Sequence, residues 1–328
     1  MKKLAMIGLG KMGGNMAERL RRHDVEVVGY DAFAVDKSDV PTLEAAVGAL
    51  GEPGTRIAWA MVPAGAPTDQ VVADLGAMLG PGDIVIDGGN SHYEESIRRA
   101  GELAAHGIGF IDCGTSGGVW GLENGYCLMV GGRAADVAAA QPIFDALAPD
   151  GGFAHVGPVG SGHYTKMVHN GIEYGMMQAF AEGVEILSTS ELGIDVVGSL
   201  SSWRQGSVVR SWLLDLLVDG LARNPDLEGI APVAKDSGEG RWTVEEAVRL
   251  GVPAPAIASS LWTRFHSQRE SVAMKVVALL RDQFGGHGVV RHEEPARAAQ
   301  SEPTTPQHPG TDPDLEPAPP GTVVGEEQ

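Results

Sequence analysis

Short apolar runs alternate with stretches of helical period through the first half of the chain. The runs Leu4–Ile7, Val25–Tyr30, Arg56–Val62, Asp83–Asp87, Ile108–Cys113 and Cys127–Val130 have the length of buried strands. Between them, apolar residues recur every three to four positions over Met12–Arg22, Thr42–Leu50, Thr68–Leu79, Tyr93–His106 and Ala134–Leu147. This alternation predicts an α/β fold with a doubly wound, mostly parallel sheet of the Rossmann type. After about Val156 the strand pattern stops. Gly160–Leu192 reads as one long helix, and helical patterns follow at Asp195–Trp203, Ser207–Leu221, Thr243–Leu250 and Ala254–Phe284. The second half is therefore expected to be all-α. From about His292 the chain is rich in Pro, Glu and Thr without periodicity, a composition that cannot bury enough apolar surface to order itself. The expected organisation is a sheet domain over residues 1–158, a helical domain over 159–290 and a disordered acidic tail over 291–328.

Composition narrows the partners. The 328 residues are enough for two domains with a sizeable core. Against 24 basic residues stand 43 acidic ones, a formal charge of −19 that disfavours nucleic acid and anionic membrane surfaces. Part of this charge is local, with eight acids and two arginines from Arg291 onward. No apolar run approaches the roughly 18 residues needed to span a bilayer, and no signal-peptide pattern precedes the first strand. Cys113 and Cys127 lie in strand-like runs and read as buried free thiols of a reducing compartment, so a cytoplasmic protein is expected.

The strongest chemical signal lies in the long helix. At 100° per residue, Lys166, His169, Asn170 and Glu173 fall within about 100° of one another. Met167, Val168, Gly171, Ile172, Gly175, Met176 and Ala179 occupy the rest of the circumference. A Lys and a Glu inside an apolar helix need partners or a cleft, because an unpaired buried charge is costly. Two readings remain: a buried ion pair with a structural histidine, or a general base and a general acid held over a substrate. No Cys/His cluster has metal-ligand spacing, so no metal is expected.

A second signal follows the first strand. Gly8-Leu9-Gly10-Lys11-Met12-Gly13 opens a helix, as a dinucleotide-binding loop does. The glycines would allow a tight turn, backbone approach to a pyrophosphate, and close helix–strand packing, with the anion on the helix N-terminus. Asp31 ends the second strand, where a carboxylate can accept from the ribose hydroxyls of NAD and repel the 2′-phosphate of NADP. No arginine adjoins it. Val62 and Pro63 end the third strand, and Asn90 follows the fourth in Asp87-Gly-Gly-Asn-Ser91. Both strand ends project from the edge where ligands bind in such sheets. Spacing alone equally allows Asn90 to be an Asx-turn residue.

Taken together, these motifs resemble the decarboxylating 6-phosphogluconate dehydrogenases. The resemblance rests on Gly8–Gly13, Asp87–Ser91, Thr115-Ser116-Gly117-Gly118, Lys166-Met-Val-His-Asn-Gly-Ile-Glu-Tyr174 and Arg281-Asp-Gln-Phe-Gly-Gly-His287, in the family's order. The chain looks like the short, NAD-preferring branch, without the second half of the long-form helical domain. The resemblance implies oxidation of 6-phospho-D-gluconate at C3, loss of carbon dioxide and tautomerisation to ribulose 5-phosphate. It implies Lys166 as general base, Glu173 as general acid, and His169 and Asn170 as holders of the substrate hydroxyls. Ser116, Gly117 and Gly118 match the substrate-carboxylate loop, though by themselves they are only a flexible turn. Tyr174 and Arg264 match positions that hold the substrate phosphate; spacing alone makes Arg264 an ordinary exposed arginine. Arg281 and His287 match a pair reaching in from a neighbouring subunit, which implies a homodimer or homotetramer.

Three departures separate the chain from NADP-dependent long forms. Asp31 and Ala32 stand where those carry a basic residue, and Pro63 replaces a lysine. Asp236-Ser-Gly-Glu-Gly-Arg241 precedes Trp242 where a lysine and a threonine are usual, which leaves the phosphate subsite unassigned. A 3-hydroxyisobutyrate-type β-hydroxyacid dehydrogenase would share the layout and the lysine, but it typically has Asn-Asn in place of His169-Asn170. A cofactor-binding sensor without catalysis would not need both Lys166 and Glu173.

Overall fold

Strands form where the apolar runs lie, and one more forms where no run marks it. The computed structural model describes residues 3–285. Its single sheet contains β1 (Lys3–Ile7), β2 (Glu26–Tyr30), β3 (Ile57–Ala60), β4 (Ile84–Asp87), β5 (Gly109–Ser116), β6 (Cys127–Gly132) and β7 (Phe153–Gly157). The order is β2-β1-β3-β4-β5-β6-β7. β1 to β5 pair in parallel, β6 runs antiparallel to β5, and β7 pairs in parallel with β6. Strand order reverses at β1, which makes a switch point with a crevice at the carboxyl ends of β1, β2 and β3.

Alternate residues of each inner strand feed two cores. Leu4 and Met6 pack with Met16, Leu20, Trp59 and Phe144 on one face. Ala5 and Ile7 pack with Val47, Val72, Leu75 and Val85 on the other. Burial on both faces is why these strands read as continuous apolar runs. The covering helices are α1 (Lys11–Arg22), α2 (Leu43–Gly48), α3 (Ala66–Met78), α4 (Tyr93–Ala104), α5 (Gly121–Asn124) and α6 (Ala134–Leu147).

The second half is helical: α7 (Ser161–Thr189), α8 (Val196–Trp203), α9 (Trp212–Arg223), α10 (Glu239–Leu250), α11 (Pro255–Ser267) and α12 (Val272–Gly285). Leu200, Leu214, Val218 and Leu221 form a small core of their own, with Phe180 and Val184 of α7 against it. Described residues up to Glu270 make one compact unit, and those from Ser271 another. In the latter, α12 exposes Val272, Met274, Val276, Val277, Leu279 and Leu280.

Several expectations need correction. β7 carries no apolar run because it is a half-covered edge strand, held by pairing to β6. The pattern over Ala254–Phe284 is two helices: the Ser271 hydroxyl accepts from the Met274 amide and starts α12 afresh. The helix expected from Ser207 starts at Trp212, capped by Ser211, while α10 starts four residues early, after Gly238 at φ +101°. Cys113 is buried, which pushes its thiol pKa up, but Cys127 is exposed because it opens β6 at the end of the sheet. The tail over 291–328 lies outside the described residues. Among those described, no helix is long and apolar enough to cross a membrane.

Candidate active site

The start of α7 is anchored to the sheet by one carboxylate. Asp112, buried on β5, accepts from the amides of Gly160 (2.7 Å) and His163 (2.8 Å). A negative charge on the unpaired amides of a helix N-terminus is favourable. Glycines then let the helix lie against the strands. A Cβ on Gly162 would sit 2.4 Å from the Asp112 carbonyl oxygen, and one on Gly114 would sit 2.5 Å from Lys166 Cβ. Lys166 is thereby set directly over β5.

From that point the expected ladder runs along α7. Lys166 is only 8% exposed. Its Nζ donates to Asn170 Oδ1 (2.8 Å). His169 Nδ1 lies 3.0 Å from the same oxygen and 3.8 Å from Glu173 Oε2. Burial pushes the Lys166 pKa down, and the charges of Glu239 and Glu173 partly offset this. A lysine so placed is nearer to acting as a base at neutral pH than an exposed one. The apolar flank of the helix is open here: Ile172 and Met176 are exposed on the same cleft.

That cleft, of about 2420 Å³, extends from the glycine loop to the ladder. Gly8, Gly10, Met12 and Gly13 line it, as do Asp31, Val62, Pro63 and Asn90. Ser116, Gly117 and Gly118 line it beside Lys166, His169, Asn170 and Glu173. The three loop glycines do different things. Gly8 has φ +96°, and a Cβ there would meet the Met61 carbonyl oxygen at 2.5 Å; at Gly13 a Cβ would meet the Gly8 carbonyl oxygen at 2.0 Å. A Cβ on Gly10 would meet nothing within 4 Å and would instead fill the open space at the N-terminus of α1. That space suits the pyrophosphate of a dinucleotide. Leu9 is buried, and its amide donates to Asp31 Oδ2 (2.7 Å). Partial burial opposes ionisation of Asp31, but the amides of Ala34, Leu9 and Phe33 hold its pKa below the usual carboxylate range. Residues that line the cleft thus fit NAD, with Asp31 offering an anionic acceptor after β2.

The loop after β4 is braced from below. Asp87 Oδ2 accepts from Ser91 Oγ (2.7 Å) and Arg99 Nη1 (3.2 Å), and Arg99 Nε donates to Asp69 Oδ1 (2.9 Å). Asp87, Ser91 and Arg99 are buried, and the loop presents Gly88, Gly89 and Asn90 to the cleft. Arg99 escaped the sequence reading; its only signal was a charge on the buried face of α4. Trp120 and Trp212 also line the cleft, and nothing local to them announced it.

Not every expected residue joins the cleft. Tyr174 is buried beside it, its hydroxyl accepting from the Ser237 amide (2.9 Å) and bonding Ser237 Oγ (3.1 Å). The Arg264 guanidinium lies 3.5 Å from the centroid of the Tyr174 ring, and its Nη1 donates to the Lys235 carbonyl (2.9 Å). Glu239 is buried and accepts from Ser237 Oγ. Neither Tyr174 nor Arg264 lines the cavity. Arg281 is exposed on α12, and His287 lies outside the described residues.

A glycine loop at a switch point, an ionised acid at the end of β2 and a buried lysine on the first helix of a helical half define a two-part, dinucleotide-dependent dehydrogenase. Residues 3–157 match the NAD binding domain of 6-phosphogluconate dehydrogenase, and residues 162–300 match the 6-phosphogluconate dehydrogenase C-terminal domain. The chain belongs to the 6-phosphogluconate dehydrogenase family. YqeC of Bacillus subtilis (strain 168) is 42% identical over 294 residues, 87% of this chain and 98% of its own. The NAD(+)-dependent, decarboxylating 6-phosphogluconate dehydrogenase of Haloferax volcanii is 40% identical over 308 residues, 89% of this chain and 100% of its own. Among solved structures, Plasmodium falciparum 6-phosphogluconate dehydrogenase superposes with a TM-score of 0.74 at 26% identity, over 89% of this chain and 67% of that one. Mycobacterium tuberculosis 3-hydroxyisobutyrate dehydrogenase shares the fold, with a TM-score of 0.65 at 22% identity over 79% of this chain and 91% of that one.

Proposed function

We propose that this chain oxidatively decarboxylates 6-phospho-D-gluconate to D-ribulose 5-phosphate and carbon dioxide with reduction of NAD. The observation that carries the reading is Lys166, a desolvated amine set by Gly114 and Asn170 at the inner end of a dinucleotide-sized cleft. In this reading residues 1–158 hold the cofactor, and the helices from 159 onward shape the substrate side. Bound NAD supplies the hydride acceptor for substrate C3.

Lys166 takes the proton of the C3 hydroxyl as that carbon is oxidised. The resulting ammonium then donates to the new C3 carbonyl oxygen. A β-keto acid loses carbon dioxide readily when its carbonyl is polarised: the C1–C2 bond breaks, and its electron pair is held as an enediol. Glu173 gives a proton to the carbon that carried the carboxylate. The enediol collapses to the ketone as Lys166 takes back a hydroxyl proton. Asn170 keeps the Lys166 nitrogen in place, and His169 and Asn90 hold substrate hydroxyls. Ser116 and the amides of Gly117 and Gly118 hold the C1 carboxylate. Tyr174 and Arg264 belong to the phosphate end, where Arg281 and His287 of a neighbouring copy complete the site in a homo-oligomer. The exposed apolar side chains of α12 support such an assembly. Asp31, an anion with no adjoining arginine to receive a 2′-phosphate, supports NAD over NADP, as does the name of the Haloferax relative.

The test is an absorbance assay with 6-phosphogluconate and each nicotinamide cofactor, with carbon dioxide trapped from the same reaction. NADH and carbon dioxide are expected in equal amounts. Lys166→Met is expected to abolish both while NAD still binds by calorimetry. Reduction without carbon dioxide would reject the decarboxylating reading, and substantial turnover by Lys166→Met would reject the base.

A further inference from the structure

Phe33 is the most exposed large apolar side chain in the sheet half, at 99%. It has no intramolecular packing, yet its place is defined. Its amide donates to Asp31 Oδ1 (2.8 Å), and the Ala34 amide donates to the same oxygen (2.8 Å). The turn after β2 is thus tied to the Asp31 carboxylate. Phe33 also lines the cleft, together with Ala32 and Ala34. Helix α3 borders the same cleft along one stripe that includes Pro67, Val71 and Met78. Glu44 and Asp74 line the cleft with Asp31, as does Lys11 at the start of α1, and the charge of Lys37 acts on Asp31. An exposed ring facing the same cleft as this apolar stripe suits an uncharged aromatic base.

We infer that Phe33 is the adenine platform of this enzyme, its ring stacking on the base of NAD while Asp31 accepts from the attached ribose. Two residues of chain reach at most about 7 Å, the scale that separates a ribose hydroxyl from its own base. The ring covers apolar base surface that the sheet itself does not reach, and the bound base covers a phenyl group otherwise left in water. This rests on the NAD-dependent reading above and adds a residue to it.

The experiment is calorimetric titration of the full chain with NAD, ADP-ribose and 6-phosphogluconate, using wild type, Phe33→Ser and Phe33→Trp. Full exposure means that neither substitution disturbs a packed core. Phe33→Ser is expected to weaken NAD and ADP-ribose by the same factor, at least about fivefold, and to leave 6-phosphogluconate affinity unaltered. Phe33→Trp is expected to retain wild-type affinity. Unchanged NAD affinity in Phe33→Ser overturns the inference. So does an unchanged affinity accompanied by a fall in oligomeric mass, which would make Phe33 an interface residue. Equal losses for NAD and 6-phosphogluconate would indicate a general collapse and also overturn it. Absence of NAD binding by the wild type would instead reject the cofactor reading itself.

Discussion

Gly114→Ala tests whether the close approach of α7 to β5 is what places Lys166. The added Cβ would lie 2.5 Å from Lys166 Cβ and 2.8 Å from the Gly162 carbonyl oxygen. Ordinary contact begins near 3.4 Å, so helix or strand must yield by about 0.9 Å. The clashing atoms are the root of the lysine side chain and backbone, so no flexible side-chain end can absorb the shift. Misplacing a reacting group by 1 Å costs about 100-fold in turnover. Overpacking of this kind costs about 1–3 kcal/mol, or roughly 5 °C in Tm for a unit of this size. The assays are kcat with 6-phosphogluconate at saturating NAD, the Kd for NAD, and thermal unfolding. NAD affinity is expected to hold, because Gly114 is remote in the fold from Gly8–Gly13 and Asp31. Gly101→Ala serves as the control: a Cβ there meets nothing within 4 Å on the exposed side of α4, and a gain of about 0.5–1 kcal/mol is expected. A Gly114→Ala enzyme with wild-type kcat and Tm would refute the argument.

Three further outcomes follow from the same geometry. Asp112→Ala strips two charge-assisted bonds from the start of α7 and should lower stability by about 3 kcal/mol in urea unfolding; a loss under about 0.5 kcal/mol would mean another group caps the helix. Glu239→Gln removes a charge that raises the Lys166 pKa. The amine should then become neutral at lower pH, moving the acidic limb of kcat/KM downward, whereas an upward or absent shift would contradict the coupling. Asp31→Asn with Ala32→Arg should turn the kcat/KM ratio towards NADP; a constant ratio would place selectivity elsewhere in the cleft.

Lys166 also carries a linkage consequence. Its folded pKa lies below its unfolded value, so between the two the unfolded chain binds more protons and stability rises with pH.

Much of this protein was written in local patterns. Strands buried on both faces had to be continuous apolar runs. The stripe from Lys166 to Glu173 and the loop from Gly8 to Gly13 were visible because each lies within a few residues of chain. β7 was invisible because an edge strand owes its form to a partner, not to its own hydropathy. The exposure of Cys127 depends on where β6 begins relative to its cover, and the break before Ser271 depends on a cap that an unbroken helical period conceals.

Tertiary structure alone decided which residues meet. Asp112 is 48 residues from the Gly160 amide that it holds, and Ser237 is 63 residues from the Tyr174 hydroxyl that it engages. Arg99 supports the loop of Asn90 from beneath, and Gly114 sets how near Lys166 comes to the strand. None of these pairs leaves a periodic trace, since side-chain period reports which face of an element is covered and not what covers it. Residue type fixed what chemistry was available; the packing of α7 on the sheet decided where it could be used.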